Sequence, residues 1–305
     1  LSNRCTRLKA ALAGVFLLAL FSYIAVGEIL LLHGWLGSGT VWTVSRQILR
    51  EEPFCIDPHE VLSPTLPNRV SLVTWADNIA SYLDTFPTEA SVTVVAHSFS
   101  GPSALFLLVV FRHMEQGDFE EWAGMLVEKD PALTRISSAL LALDDREIWV
   151  RGACRVSKLF LYQPALGGGC LACSACGEAP LPSFLPEPVG ELVGSVVCDD
   201  AVKDMCLLST VRNALFSPEE IDLLQVPVVN IYAIRPGCPG PCVGLPDTDG
   251  YVPLMEQRLF LSAPNYHEVA GGAHCHTDFI LNLGGAAADL FRTIFPSEVD
   301  QEASR

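Results

Sequence analysis

The chain has 305 residues, half of them hydrophobic and 18% charged, which excludes a long disordered polymer and supplies an ordinary core. Its 19 Lys and Arg face 35 Asp and Glu, a net charge of −16. Lys9, Lys129, Lys158 and Lys203 are the only lysines, so there is no basic footprint for nucleic acid or an anionic membrane surface. Eleven cysteines point to an oxidising compartment with an odd thiol left over.

Arg4, Arg7 and Lys9 precede an apolar run from Ala10 to Val26 in which Ser22 and Tyr23 are the polar interruptions. A basic flank before such a run reads as a signal peptide or signal anchor, and attachment to a membrane through residues 10–26 follows. A buried core helix is the plainer alternative. Glu28-Ile29-Leu30-Leu31-Leu32 comes directly afterwards and reads as a central strand. Cleavage near Gly27 would leave nothing ahead of that strand, so an uncleaved anchor is favoured. The chain starts on Leu1 rather than Met, consistent with residues upstream of it.

The remainder alternates strand-like and helix-like runs, which predicts an α/β fold: a mostly parallel central sheet flanked by helices. Continuous apolar runs mark buried parallel strands at Ile29 to Leu32, Val92 to Val95, Leu159 to Tyr162 and Val228 to Ala233. Helical spacing is expected for Val41 to Arg50, Ala76 to Thr85, Gly101 to Met114, Pro253 to Ser262 and Phe279 to Phe295. Pro164 to about Gln225 breaks the rhythm with a Gly-Gly-Gly run, several prolines and Cys170, Cys173, Cys176, Cys198 and Cys206. The expected organisation is an N-terminal segment, 1–27, and one domain, 28–305. A cap or lid inserted at about 165–225 would turn Leu181, Phe184 and Leu185 inward.

Ser91 to Gly101 is a β-branched strand, a tight turn and an apolar helix, with Ala96-His97-Ser98-Phe99-Ser100-Gly101 at the turn. Small residues two before and two after a serine suit a sharply strained strand-to-helix turn. This resembles the nucleophile elbow of the α/β-hydrolases, close to the Ala-His-Ser-x-Gly variant of some bacterial lipases, with Ser100 where glycine is usual. The strand ending His33-Gly34-Trp35-Leu36-Gly37 is similar to the one that precedes the oxyanion loop of that superfamily. The resemblance makes Ser98 the nucleophile, the N–H groups of Trp35 and Phe99 the oxyanion donors, and His33 a structural support of the loop. A phosphate-binding turn is poorly supported, since neither Gly-x-Gly-x-x-Gly nor a Lys-Ser/Thr pair follows.

The superfamily orders its triad serine, acid, histidine. Asp247-Thr248-Asp249-Gly250-Tyr251-Val252-Pro253 resembles the acid loop of lipases and esterases and points to Asp249, with Asp247 as its rival and Asp199 and Asp200 weaker. In His274-Cys275-His276-Thr277-Asp278-Phe279-Ile280, His-x-Asp-Phe-Ile resembles the base segment of acid lipases and favours His276. Gly-x-His at Gly272 to His274 resembles other hydrolases and keeps His274 open.

Cys170-x-x-Cys173-x-x-Cys176 and Cys238-x-x-x-Cys242 are possible metal ligands, but disulfides are favoured for a lumenal chain, including a small Cys238–Cys242 loop beside Asp249. Cys275 stays open between a paired and a free thiol. The resemblance implies a serine hydrolase of carboxylic esters, with lipid-like esters favoured, that needs neither cofactor nor metal and works in the secretory pathway, secreted or anchored. Its partner would be a small-molecule or lipid ester. An acyl-thioester hydrolase and a non-catalytic binding protein on the same fold are the alternatives. A peptidase is less favoured, and a haloalkane-type enzyme is excluded because it needs Asp at the elbow.

Overall fold

A computed structural model describes residues 28–168, 172–176, 198–239, 242 and 247–296. The apolar run at 10–26 and the expected inward face of the cap at Leu181, Phe184 and Leu185 lie outside the described residues. No helix among the described residues is long and apolar enough to cross a membrane.

In chain order the main elements are β1 (Ile29–Leu32), α1 (Thr43–Arg50), β2 (Val61–Leu62), α2 (Leu72–Asp84), β3 (Val92–His97) and α3 (Ser100–Gln116). Next come α4 (Phe119–Lys129), α5 (Thr134–Leu141), α6 (Arg146–Ala153), β4 (Val156–Tyr162), α7 (Ala172–Ala175), α8 (Asp200–Leu215) and α9 (Pro218–Asp222). β5 (Val228–Tyr232), α10 (Leu254–Gln257), β6 (Tyr266–Ala270) and α11 (Ala286–Ile294) complete the fold.

The strands form one six-stranded sheet in the order β2-β1-β3-β4-β5-β6, and every neighbouring pair is parallel. Successive residues of a strand face opposite sides. Accordingly Leu30, Leu32, Val92, Val94 and Ala96 join one hydrophobic cluster, while Ile29, Leu31 and Val95 join another on the opposite face. Helices α2 and α3 cover the first face, and α1 and α11 the second. Both faces are dry, which is why these strands read as unbroken apolar runs.

Three expected helices differ from those observed. α2 begins at Leu72, ahead of Ala76, because Ser71 Oγ accepts the Thr74 N–H and caps it. The expected helix from Pro253 to Ser262 stops after Gln257. The Glu268 carboxylate takes up the Leu259 and Phe260 N–H groups at 2.8 and 3.2 Å, so the chain leaves extended instead. The expected helix from Phe279 to Phe295 is broken into a 3-10 turn (Asp278–Ile280), a second short turn and α11, because Asn282, Gly284 and Gly285 all take positive φ.

Parallel strands put all their carboxyl ends along one edge. The chain runs from β1 outward to β2 and then back past β1 to β3, so strand order reverses between β1 and β3. A crevice outside the carboxyl ends at such a reversal is where open α/β sheets bind ligands.

Candidate active site

Ser98 follows the carboxyl end of β3 and sits at φ 57°, a left-handed conformation that a serine adopts only when its surroundings fix it. Its N–H donates to the Tyr162 carbonyl at 3.2 Å, and its own carbonyl accepts from Gly101 at 2.9 Å and Ala165 at 3.2 Å. The hydroxyl stands at the reversal point. A Cβ on Gly34, just past β1, would lie 2.5 Å from Ser98 Cβ and 3.0 Å from Oγ, so only glycine permits this approach.

The replacement of glycine by Ser100 has a structural use. Its hydroxyl donates to the His33 carbonyl and accepts from Trp75 Nε1 at 3.2 Å, pinning the first turn of α3 to the end of β1. The space that glycine usually provides is shifted one residue on, to Gly101, where a Cβ would meet Pro164 Cβ at 2.6 Å.

The loop after β1 is held by His33. Leu66 N–H donates to His33 Nε2 at 2.9 Å, which places the ring proton on Nδ1, 2.8 Å from the Gly34 carbonyl. Burial lowers the pKa of His33, with the two backbone hydrogen bonds opposing, and keeps it neutral. This is the supporting position expected for it. Gly34 O also accepts from Gly37 N–H at 3.0 Å, closing the turn that carries Trp35. Among the described residues, neither the Trp35 nor the Phe99 N–H is taken up by a turn or loop carbonyl. The indole of Trp35 donates to Asp199 Oδ2 at 3.2 Å. Asp199 Oδ1 caps α8 by accepting from Val202, so this aspartate is occupied structurally.

Asp249 and Asp247 separate by burial. Asp249 is 0% exposed, and Asp247 is exposed. Asp249 Oδ1 accepts the Tyr251 and Val252 N–H groups at 3.0 and 2.8 Å, leaving Oδ2 for His276 Nδ1 at 2.7 Å. A second bond, His276 N–H to Asp249 O at 2.8 Å, locks the two loops together. Gln257, which is buried, brackets the acid loop against the end of β5: Nε2 donates to Ala233 O and Val252 O, and Oε1 accepts from Ala233 N–H. His274 is engaged elsewhere. Its Nε2 lies 3.1 Å from Asp289 Oδ2 on α11.

Two residues beyond those anticipated touch His276. The Tyr251 ring lies 5.3 Å from it, and the His97 ring 4.5 Å. His97 Nε2 also sits 3.0 Å from the His276 carbonyl. In the sequence, the only sign of such a role is that His97 precedes Ser98. Among the described residues, Ser98 Oγ has no hydrogen-bond partner. Bonds of this kind commonly tighten only with substrate in place.

Disulfides account for the cysteines around the site. Cys173 pairs with Cys206, Cys176 with Cys198, and Cys238 with Cys275, while Cys55 and Cys242 are also disulfide-bonded. The expected Cys238–Cys242 loop is therefore incorrect: the Cys238 partner is the residue between the two histidines. Cys154 is free and exposed. These bonds match an extracellular or secretory setting.

Two solved structures align with most of the chain. One is a Bacillus licheniformis lipase in its mature form, with TM-score 0.53, 13% identity, and coverage of 88% of this chain and 91% of the other. The second is a metagenomic carboxyl esterase, with TM-score 0.52, 13% identity and coverage of 88% and 75%. The fold is that of the α/β-hydrolases. No family model and no curated protein matches the sequence.

Proposed function

We propose that the protein is a serine hydrolase of carboxylic esters, with Ser98 as nucleophile, His276 as base and Asp249 as its orienting acid. The observation that carries this reading is the buried Asp249–His276 pair at 2.7 Å, set on the same sheet edge as a serine held at φ 57°. Asp249 can only accept, so it keeps the ring proton on Nδ1 and leaves Nε2 as the base.

In acylation, Ser98 Oγ bonds to the ester carbonyl carbon while His276 Nε2 takes the hydroxyl proton. The carbonyl oxygen becomes negative and is received by the N–H groups of Trp35 and Phe99, an arrangement worth about 3–4 kcal/mol per well-placed donor. His276 then passes its proton to the alcohol oxygen as the C–O bond breaks, leaving an acyl-enzyme. Water repeats the sequence and releases the acid. The chemistry requires no cofactor or metal.

Residues 28–305 would be the hydrolase domain, with about 165–225 as its cap and 1–27 as a signal anchor or signal peptide. The Trp35–Asp199 bond supports a cap seated on the oxyanion loop. A lipid-like ester suits the exposed large hydrophobics Leu36 on the oxyanion loop, Tyr251 on the acid loop and Met255 on α10. The test is hydrolysis of p-nitrophenyl butyrate and p-nitrophenyl laurate by wild type and Ser98→Ala. The expected result is turnover by wild type, faster on laurate, and a loss of about 10³-fold or more in the variant. Equal rates in wild type and Ser98→Ala would overturn the assignment.

A further inference from the structure

We infer that His97 is a positioning residue, tying the main chain of His276 to the strand that carries Ser98. The inference rests on the proposed serine-hydrolase reading and adds to it a residue outside the triad.

His97 is the last residue of β3, next to Ser98 in the chain. Its Nε2 lies 3.0 Å from the His276 carbonyl oxygen, which can only accept, so Nε2 carries the proton and donates. The residue bearing the nucleophile and the residue bearing the base are thereby joined through one side chain and one carbonyl. Among the described residues, this is the hydrogen bond that joins the His276 loop to the nucleophile strand, while Asp249 and the Cys238–Cys275 disulfide tie the loop to the acid loop.

The surroundings fix the His97 ring. Phe279 lies 4.5 Å away, Tyr162 5.9 Å, and Trp42 6.3 Å edge-on. These rings come from the sheet, the turn ahead of α1 and the C-terminal segment, so a change in ring orientation would require repacking of the core. Burial pushes the His97 pKa well below that of a free imidazole, and the neighbouring His276 adds to this. A neutral His97 sets no positive charge against the imidazolium that forms on His276 during the reaction. Hydrogen-bonded placement of this kind matters because an error of about 1 Å in a reacting group can lower rates about 10²-fold.

The test measures kcat and KM on p-nitrophenyl butyrate for wild type, His97→Phe and His97→Gln, with thermal unfolding of each. Phenylalanine keeps the ring and removes the donor. Glutamine places an amide N–H close to the position of Nε2. The expected result is a kcat lower by about 10–100-fold in His97→Phe with KM within about twofold, and recovery of most of that loss in His97→Gln. An unchanged kcat in His97→Phe, or losses that follow unfolding temperature without glutamine rescue, would overturn the inference while leaving the triad intact. Absence of ester turnover in wild type would overturn the hydrolase reading itself, and this inference with it. A second measurement needs no variant: nitrogen NMR of the native protein should show His97 neutral and protonated at Nε2 from about pH 5 to 8. A bare Nε2 would contradict the donor role.

Discussion

Cys238 is bonded to Cys275, so the loop leaving β5 is covalently tied to the residue between His274 and His276. The acid loop packs on the same junction, since a Cβ on Gly250 would meet Pro239 O at 2.5 Å and Cys238 Cβ at 3.0 Å. Acid loop, base loop and disulfide are one unit. Replacing both cysteines by serine opens a loop with a sequence separation of 37. Stability should fall by about 3–4 kcal/mol on loop entropy, measured as a lower denaturant midpoint. Ester turnover below the unfolding range should fall as well, because the bond holds the His276 segment in place.

The two histidines make a second test. His274 spends its Nε2 on Asp289, on α11, whereas His276 takes the buried Asp249. His276→Ala should lower kcat by several orders of magnitude, as loss of a triad member does elsewhere. His274→Ala should keep most of the turnover and act through loop order. Near-wild-type kcat in His276→Ala would transfer the role to His274.

Ser100→Gly restores the usual elbow motif yet should destabilise the protein. It removes the partner of the Trp75 indole N–H and of the His33 carbonyl, both in the buried core. Orphaned buried groups cost about 1–3 kcal/mol each, so a clear drop in unfolding free energy is expected, with any ester turnover retained in the folded protein.

Much of this site is legible in the sequence, because the strands that carry it are apolar runs ending in recognisable turns. β1 matches its expected span, and β3, β4 and β5 lie within a few residues of theirs, since dry parallel strands have little polar content to blur their limits. Ser98 stands directly after β3 and His276 a short turn after β6, whereas Asp249 lies well downstream of β5 in a loop marked by its Asp-Gly-x-Val-Pro pattern. What the sequence hides is set by tertiary contact. The reach of His97 to the His276 carbonyl joins residues 179 apart. Likewise, a Glu268 carboxylate that ends a helix at Gln257, or a Cys238 that bonds Cys275 rather than Cys242, leaves no local pattern. The helical spacing of Phe119, Trp122, Ala123 and Leu126 is also present, but α4 lies outside the site.

Glu256, on α10 beside the acid loop, predicts a pH dependence of stability. Its Oε2 is buried without a hydrogen-bond partner, and burial pushes the carboxyl up to about 7, against an opposing pull from Arg212. In the unfolded chain the same group titrates near 4.3. Between about pH 4.3 and 7 the folded protein binds the extra proton, so stability falls as pH rises through that window and levels off above it. Glu256→Gln should remove this slope. Its unfolding free energy should exceed that of wild type by about 1–3 kcal/mol at pH 8, with the gap closing toward pH 4. A stability gap between Glu256→Gln and wild type that stays constant from pH 4 to 8 would contradict this role for Glu256.

Activation of Ser98 by His276 can be read directly with a fluorophosphonate. A fluorophosphonate reacts with a serine only where a base and an oxyanion site assist it, and mass spectrometry of the labelled protein locates the adduct. One adduct is expected, on Ser98, formed by wild type and His274→Ala and lost in both Ser98→Ala and His276→Ala. An unlabelled wild type, or an adduct that persists in Ser98→Ala, would contradict that activation.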